Sequence, residues 1–196
     1  MPKAANRYQI DSVDGRAMDP RVEQQADFRI LSLESELAPL WERTFGDPGN
    51  SVAVLDGPVD LIHPCFLGAN IEVVPSLALT HRQDGMASLH GTHIASILFG
   101  QHGGLVKGVC PNCRGFVVAV FSEGQDGSVT ACSQPDLARA ITQAVTAGAN
   151  VINISGGELE PSGQTEPHVT NAIEPCHCNN ILVVAAAGSD GCVKRG

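Results

Sequence analysis

Ser51-Val52-Ala53-Val54-Leu55-Asp56 is a short apolar run that ends in an acid. A strand wetted on one face alternates apolar and polar residues; a run apolar at nearly every position fits a strand buried on both faces, as in a parallel sheet. Outward from it the chain repeats one rhythm. Leu89 to Phe99 has helical spacing, Phe116 to Phe121 is a second buried-strand candidate, and Pro135 to Ala147 fits an amphipathic helix. That helix has Leu137, Ala140, Ile141, Ala144 and Val145 on one face and Gly148 as its stop. Val151 to Ser155 is a third strand, residues 168 to 178 another helix, and Ile181 to Ala187 a fourth strand. Strand and helix in alternation predict an α/β fold with right-handed crossovers: a three-layer sandwich around a central parallel sheet. Functional groups of such sheets gather at the carboxyl ends of the strands, and Asp56, Ser155 and Ser189 all lie at or just past predicted strand ends.

The rest of the chain narrows the function classes. Residues 1–47 are charged, with sparse apolar positions; Ser35 to Thr44 predicts a short helix carrying Leu37, Leu40 and Trp41 on one face, and Gly46 to Asn50 a turn cluster. This N-terminal extension reads as an arm, and residues 48–196 as the main domain. With 196 residues, 43% hydrophobic, the chain can bury one sizeable core. A net charge of -9 and no basic cluster beyond Lys194-Arg195 argue against a nucleic-acid partner. No window approaches the roughly eighteen apolar residues of a membrane span, and the amino terminus lacks the apolar region of a secretory signal, so no membrane partner and a cytoplasmic location are expected. Seven cysteines (65, 110, 113, 132, 176, 178 and 192) cannot all pair within one chain. Cys110-Pro111-Asn112-Cys113 and Cys176-His177-Cys178 have spacings found at redox and zinc sites. A mixture of free thiols with one or two disulfides is the expected outcome, with no metal and no cofactor.

Two residues carry the chemistry. Asp56 ends a buried strand, and a buried carboxylate needs a hydrogen-bonding or charged partner. His90 opens His90-Gly91-Thr92-His93-Ile94-Ala95-Ser96, where a glycine beside the imidazole allows close approach at a helix start. A carboxylate bonded to one ring nitrogen fixes the tautomer and frees the other nitrogen as a general base. His93, one turn on, is expected to pack or cap; Asp60 and His63 are expected to be structural.

Val52-Ala53-Val54-Leu55-Asp56 resembles the aspartate motif of the subtilase family, and His90-Gly91-Thr92-His93-Ile94-Ala95 is similar to its histidine motif. Val151-Ile152-Asn153-Ile154-Ser155-Gly156-Gly157 resembles the family's substrate-binding strand, and Ala185 to Gly191 the segment with the oxyanion-hole asparagine. Within the family the likeness is to the cyanobactin-maturation proteases, which cleave ribosomally made precursor peptides. It is carried by Leu55 to Asp60, His63-Pro64-Cys65-Phe66 and Gly188-Ser189-Asp190-Gly191-Cys192. The resemblance implies a subtilisin-like fold and a serine endopeptidase in which Asp56 orients His90. Ser155, Gly156 and Gly157 would pair with an extended peptide, their glycines leaving open space for its side chains. Gly127 and Ser128 would form the opposing wall, and Ser189 would stand at the oxyanion-hole position.

Three departures follow. Asp56 is followed by Gly57 rather than the family's Thr or Ser, so the hydroxyl that supports the carboxylate must be replaced by backbone amides or another residue. Ser189 stands where an asparagine is expected, a side-chain amide worth about 2.7–4 kcal/mol in subtilisin itself. No Gly-Thr-Ser run, the family's nucleophile motif, occurs among the 196 residues. The expectation is therefore an N-terminal portion of the catalytic domain, incomplete at its C-terminal end. Its chain alone would be inactive, one sheet face partly bare, and a complementing C-terminal fragment a candidate partner. The alternatives are a non-catalytic peptide-binding pseudoprotease and, less favoured, a cysteine-based redox or zinc protein.

Overall fold

The computed structural model describes residues 34–75, 85–124, 129–130, 132–156 and 167–186. The chain divides into two units, Met1–Arg43 and Thr44–Gly196. In the first, residues 34–41 form helix α1; every other element belongs to the second.

Strand β1 (Ser51–Asp56) is buried at all six positions, as its unbroken apolar run requires. It lies at the centre of a five-stranded parallel sheet. On one side it pairs with β3 (Arg114–Ala119), which pairs in turn with β2 (Ile71–Val73). On the other it pairs with β6 (Val151–Ile154), which pairs with the edge strand β7 (Leu182–Ala185). Helix α2 (Met86–Phe99) joins β2 to β3; helices α3 (Gln134–Ala147) and α4 (Pro167–Cys178) join β3 to β6 and β6 to β7. Between β3 and α3, β4 (Ser122–Glu123) and β5 (Val129–Thr130) form a small antiparallel ribbon.

The period-2 alternation of β1 sorts the core into two layers. Ala53 and Leu55 point with Phe116, Val118, Ile152 and Ile154 into a cluster closed by Ile141 and Ala144 of α3 and by Val169, Ala172 and Cys176 of α4. Val52 and Val54 point the other way, toward Ala95 and Phe99 of α2 with Cys65, Phe66 and Cys113. The three-layer α/β sandwich is thus the observed architecture. Helix α3 shows why its ends were readable. Ser133 accepts from the amide of Asp136, and Gly148 adopts φ 89°, its amide bonded to Ala144 and Val145 carbonyls.

Boundaries differ from the sequence reading where backbone bonds leave the ladder. β3 stops at Ala119, short of Phe121, because the Val120 and Phe121 amides both turn to the Asp56 carbonyl, at 2.7 and 3.3 Å. Helix α2 begins at Met86, three residues before Leu89, so His90 sits in its second turn rather than at its start. None of the six cysteines among the described residues is joined in a disulfide, which overturns the expected pairing there; Cys192 lies outside the described residues. On the α2 face of the sheet, Leu182 (60% exposed) and Val184 (45%) of β7 are covered by no described helix.

Candidate functional site

The strand order places a switch of winding at β1: the preceding elements build toward β2, and the chain then crosses to β6 and β7. Crevices in open α/β sheets form at the carboxyl ends of strands around such a point, and that is where Asp56 stands. By the alternation of β1 its side chain projects to the α2 face. It is completely buried.

Helix α2 reaches this carboxylate because two glycines remove the obstacles. A Cβ on Gly57 would lie 1.9 Å from the Ala87 carbonyl oxygen, and one on Gly91 would lie 2.3 Å from the Gly57 carbonyl oxygen. The first turns of α2 therefore lie directly on the peptide that follows Asp56, backbone on backbone. Thr92 fastens the same loop, its hydroxyl accepting from the Asp60 amide at 2.9 Å. Asp60 and His63 have local duties: the Asp60 carboxylate accepts from the Ile62 amide, and the His63 ring caps the 3-10 turn Pro64–Phe66 by accepting from the Cys65 amide.

In this setting Asp56 Oδ1 accepts two hydrogen bonds, from the Gly57 amide at 2.6 Å and from His90 Nδ1 at 2.8 Å. A carboxylate offers only acceptors, which puts the ring hydrogen on Nδ1 and leaves Nε2 as the free base. The acid is fully enclosed and the base is half exposed, at 52% of its side-chain surface. The arrangement can take a proton from a group arriving from solvent and stabilise the resulting imidazolium. Asp56 Oδ2 is buried with no partner, as is the Ser88 hydroxyl.

Of the other residues named from sequence, Ser155 and Gly156 follow β6 at the same end of the sheet. The Ser155 amide bonds the Leu55 carbonyl, and its hydroxyl accepts from Asn153 Nδ2 at 2.5 Å. The space over Gly156 is not open. A Cβ there would lie 2.2 Å from the Phe121 ring, because β3 ends early and its continuation folds back across the sheet end. Gly127, Ser128, Gly157 and Ser189 lie outside the described residues. His93 neither packs nor caps with its side chain; it is exposed, and its carbonyl accepts from the Ser96 hydroxyl.

Sequence reasoning missed Glu123, whose carboxylate accepts from the Ala87 amide and so holds the first turn of α2. It also missed Ser88, though a small polar residue two positions before the histidine and facing inward was a usable signal. Among the described residues no three His, Cys, Asp or Glu side chains gather as a metal ion would require, and no helix is long and apolar enough to cross a membrane.

A family model described as "Subtilase family" matches residues 47–195. A thermophilic serine proteinase of Bacillus sp. (strain AK1) is 33% identical over 156 residues, covering 77% of this chain and 36% of that protein. A solved structure of the protease domain of PatA, in mutant form, is 51% identical with a TM-score of 0.69, covering 74% of this chain and 52% of that one. The prenylagaramide maturation protease PagA is 48% identical with a TM-score of 0.69, covering 79% and 51%. The chain thus spans about half the length of the solved structures it matches, and about a third of that curated relative.

Proposed function

The chain belongs to the subtilase family of serine proteases, and on that footing we propose that it supplies the acid and base of an endopeptidase acting on peptides, ribosomally made precursor peptides of the cyanobactin kind above all. The observation that carries this is the 2.8 Å bond from His90 Nδ1 to the enclosed Asp56 carboxylate, with the rest of the ring toward solvent. His90 Nε2 takes the proton of a serine hydroxyl as it attacks the scissile carbonyl, then returns it to the leaving amine; Asp56 holds the tautomer and stabilises the imidazolium. Ser155, Gly156 and Gly157 receive the peptide as an added strand, with Gly127 and Ser128 opposite and Ser189 at the oxyanion. Phe121, resting on Gly156, swings aside or becomes part of the peptide's binding wall. Residues 1–47 are an extension without chemistry of their own. The precursor-peptide reading draws support from likeness to PagA, a maturation protease.

No Gly-Thr-Ser run occurs among these 196 residues; the proposal assigns the nucleophile to a segment outside them, on the same polypeptide or on a complementing chain. The test mixes the chain with a segment bearing the family's serine motif and adds a fluorophosphonate probe. Serine labelling is expected, lost in His90→Ala and slowed roughly 10⁴-fold in Asp56→Asn. A folded complex that binds a fluorescent peptide yet never labels would replace this reading with that of a non-catalytic peptide binder.

A further inference from the structure

The aspartate motif lacks the hydroxyl that follows the carboxylate elsewhere in the family: Gly57 occupies that place. The structure shows why it must. Any side chain at 57 would strike the Ala87 carbonyl of α2. Room for the helix has been gained at the loss of a hydrogen-bond donor, and Asp56 Oδ2 is left enclosed without one.

One other side chain in the described residues shares that condition, and it stands on the facing element. Ser88 is 1% exposed and its hydroxyl has no partner. The sheet-facing stripe of α2 is Ala87, Ser88, Gly91, Ala95, Ser96 and Phe99; by the 3.6-residue period, Ser88 shares the middle of that stripe with Ala95 and Phe99. Phe99 fixes the level at the far end, since its ring fills the space over Gly115, the register partner of Val52. From Phe99 back to Ser88 the helix rises roughly 16 Å, and from Gly115 to Ala119 the strand advances roughly 13 Å. Ala119 is the register partner of Asp56. Ser88 therefore arrives at the level of the carboxylate, on the face to which Asp56 projects, and its neighbour Ala87 touches the residue after Asp56.

The two atoms do not bond each other in this structure; we propose that Ser88 is a positioning residue for the acid–base pair, its hydroxyl turning to donate to Asp56 Oδ2 and so replacing from the helix the donor that the strand's own loop gave up. The carboxylate is then held at both oxygens, Oδ1 by the Gly57 amide and His90, Oδ2 by Ser88. Its plane, and with it the direction of the imidazole, is fixed. A buried acceptor left bare is costly, so this pairing accounts for two orphaned groups at once. It rests on the reading of Asp56 and His90 as a protease's acid–base pair, but its test does not need turnover.

The test uses the full chain with isotope-labelled histidine and follows two signals, thermal unfolding and the low-field proton resonance of the Nδ1–H···Oδ1 bond. In Ser88→Ala the carboxylate has one donor fewer among which to share its charge, so the Nδ1–H···Oδ1 bond tightens and its resonance moves downfield while the unfolding temperature falls; Ser88→Thr, which keeps the hydroxyl, restores the resonance. Ser96→Ala removes the other buried hydroxyl of the same stripe, which bonds the His93 carbonyl; it lowers stability and leaves the resonance in place. The proposal is overturned if Ser88→Ala leaves the resonance unmoved, or if it raises the unfolding temperature, as deletion of an idle buried hydroxyl would. Absence of fluorophosphonate labelling in the complemented protein with the Ser88 response intact would instead strike the protease reading alone.

Discussion

The two ends of α2 are held by opposite means. At the carboxyl end all four orphan carbonyls find donors: Ser96 from the Gly100 amide, Ile97 from Val109, Leu98 from Cys110, and Phe99 from the Gln101 side chain. Phe99 is sealed in the core and the turn Cys110–Cys113 closes over it. At the amino end there is no side-chain cap from Gly85. One carboxylate from another strand, Glu123, takes the Ala87 amide, and two buried polar atoms stand without partners. A fold that satisfies its backbone completely at one end can keep an unsatisfied, chemically useful constellation at the other.

The largest effect that would test this contrast comes from glycine. Gly57→Ala at the amino end would set a Cβ 1.9 Å from the Ala87 oxygen; Gly108→Ala at the carboxyl end would set one 2.4 Å from the Gly100 nitrogen. Backbone cannot yield as a side-chain tip can, so each is expected to cost about 3 kcal/mol or more in denaturant unfolding. Only Gly57→Ala should also disturb the Asp56–His90 resonance. Equal disturbance by both would mean that the two ends are coupled and the contrast is false. A smaller loss belongs to Glu123→Ala, which removes an N-terminal cap and should cost about 1 kcal/mol in thermal unfolding, with Glu123→Gln recovering part of it. An unchanged melting temperature in the alanine variant would show that the first turn is held by packing alone.

The same contrast explains what could be read from the sequence. The core strands and α3 were legible because each carries its cause within it: an apolar run at Ser51–Asp56, a 3.6-residue stripe from Leu137 to Val145, a serine and a glycine at the helix ends. Asp56 and His90 could be paired because family motifs mark both. β2 could not, since three residues in an edge strand, two of them exposed, give too short a pattern; nor could β4 and β5, two residues each. Glu123 lies 36 residues from the amide it caps, and nothing local announces such a bond. The Phe121 ring over Gly156 follows from where β3 stops, which is set by the Asp56 carbonyl and not by the apolar run itself. The polar part of what was missed, Glu123 and Ser88, is long-range and lies at the amino end of α2.

The smallest effect concerns the saturated end and is read through pH. Cys110 and Cys113 close a turn in which the Cys113 amide bonds the Cys110 carbonyl at 3.0 Å. Burial first, and then the neighbouring Cys113 thiol, push the Cys110 thiol from the ordinary 9.0 up to about 12. Between those values the unfolded chain gives up a proton that the native chain keeps, so stability present below about pH 9 drains away as pH rises toward 12. In reducing buffer, unfolding temperatures of the native sequence should fall more steeply above pH 9 than those of Cys110→Ser. Some slope will persist in the variant, because burial also raises the Cys65 and Cys176 thiols. The site at the other end of α2 has no part in this, so the Asp56–His90 resonance should survive over the range in which the Cys110 turn loosens. Identical slopes in the two proteins would mean that Cys110 is open to water and that the carboxyl end of α2 is less tightly closed than its hydrogen bonds imply.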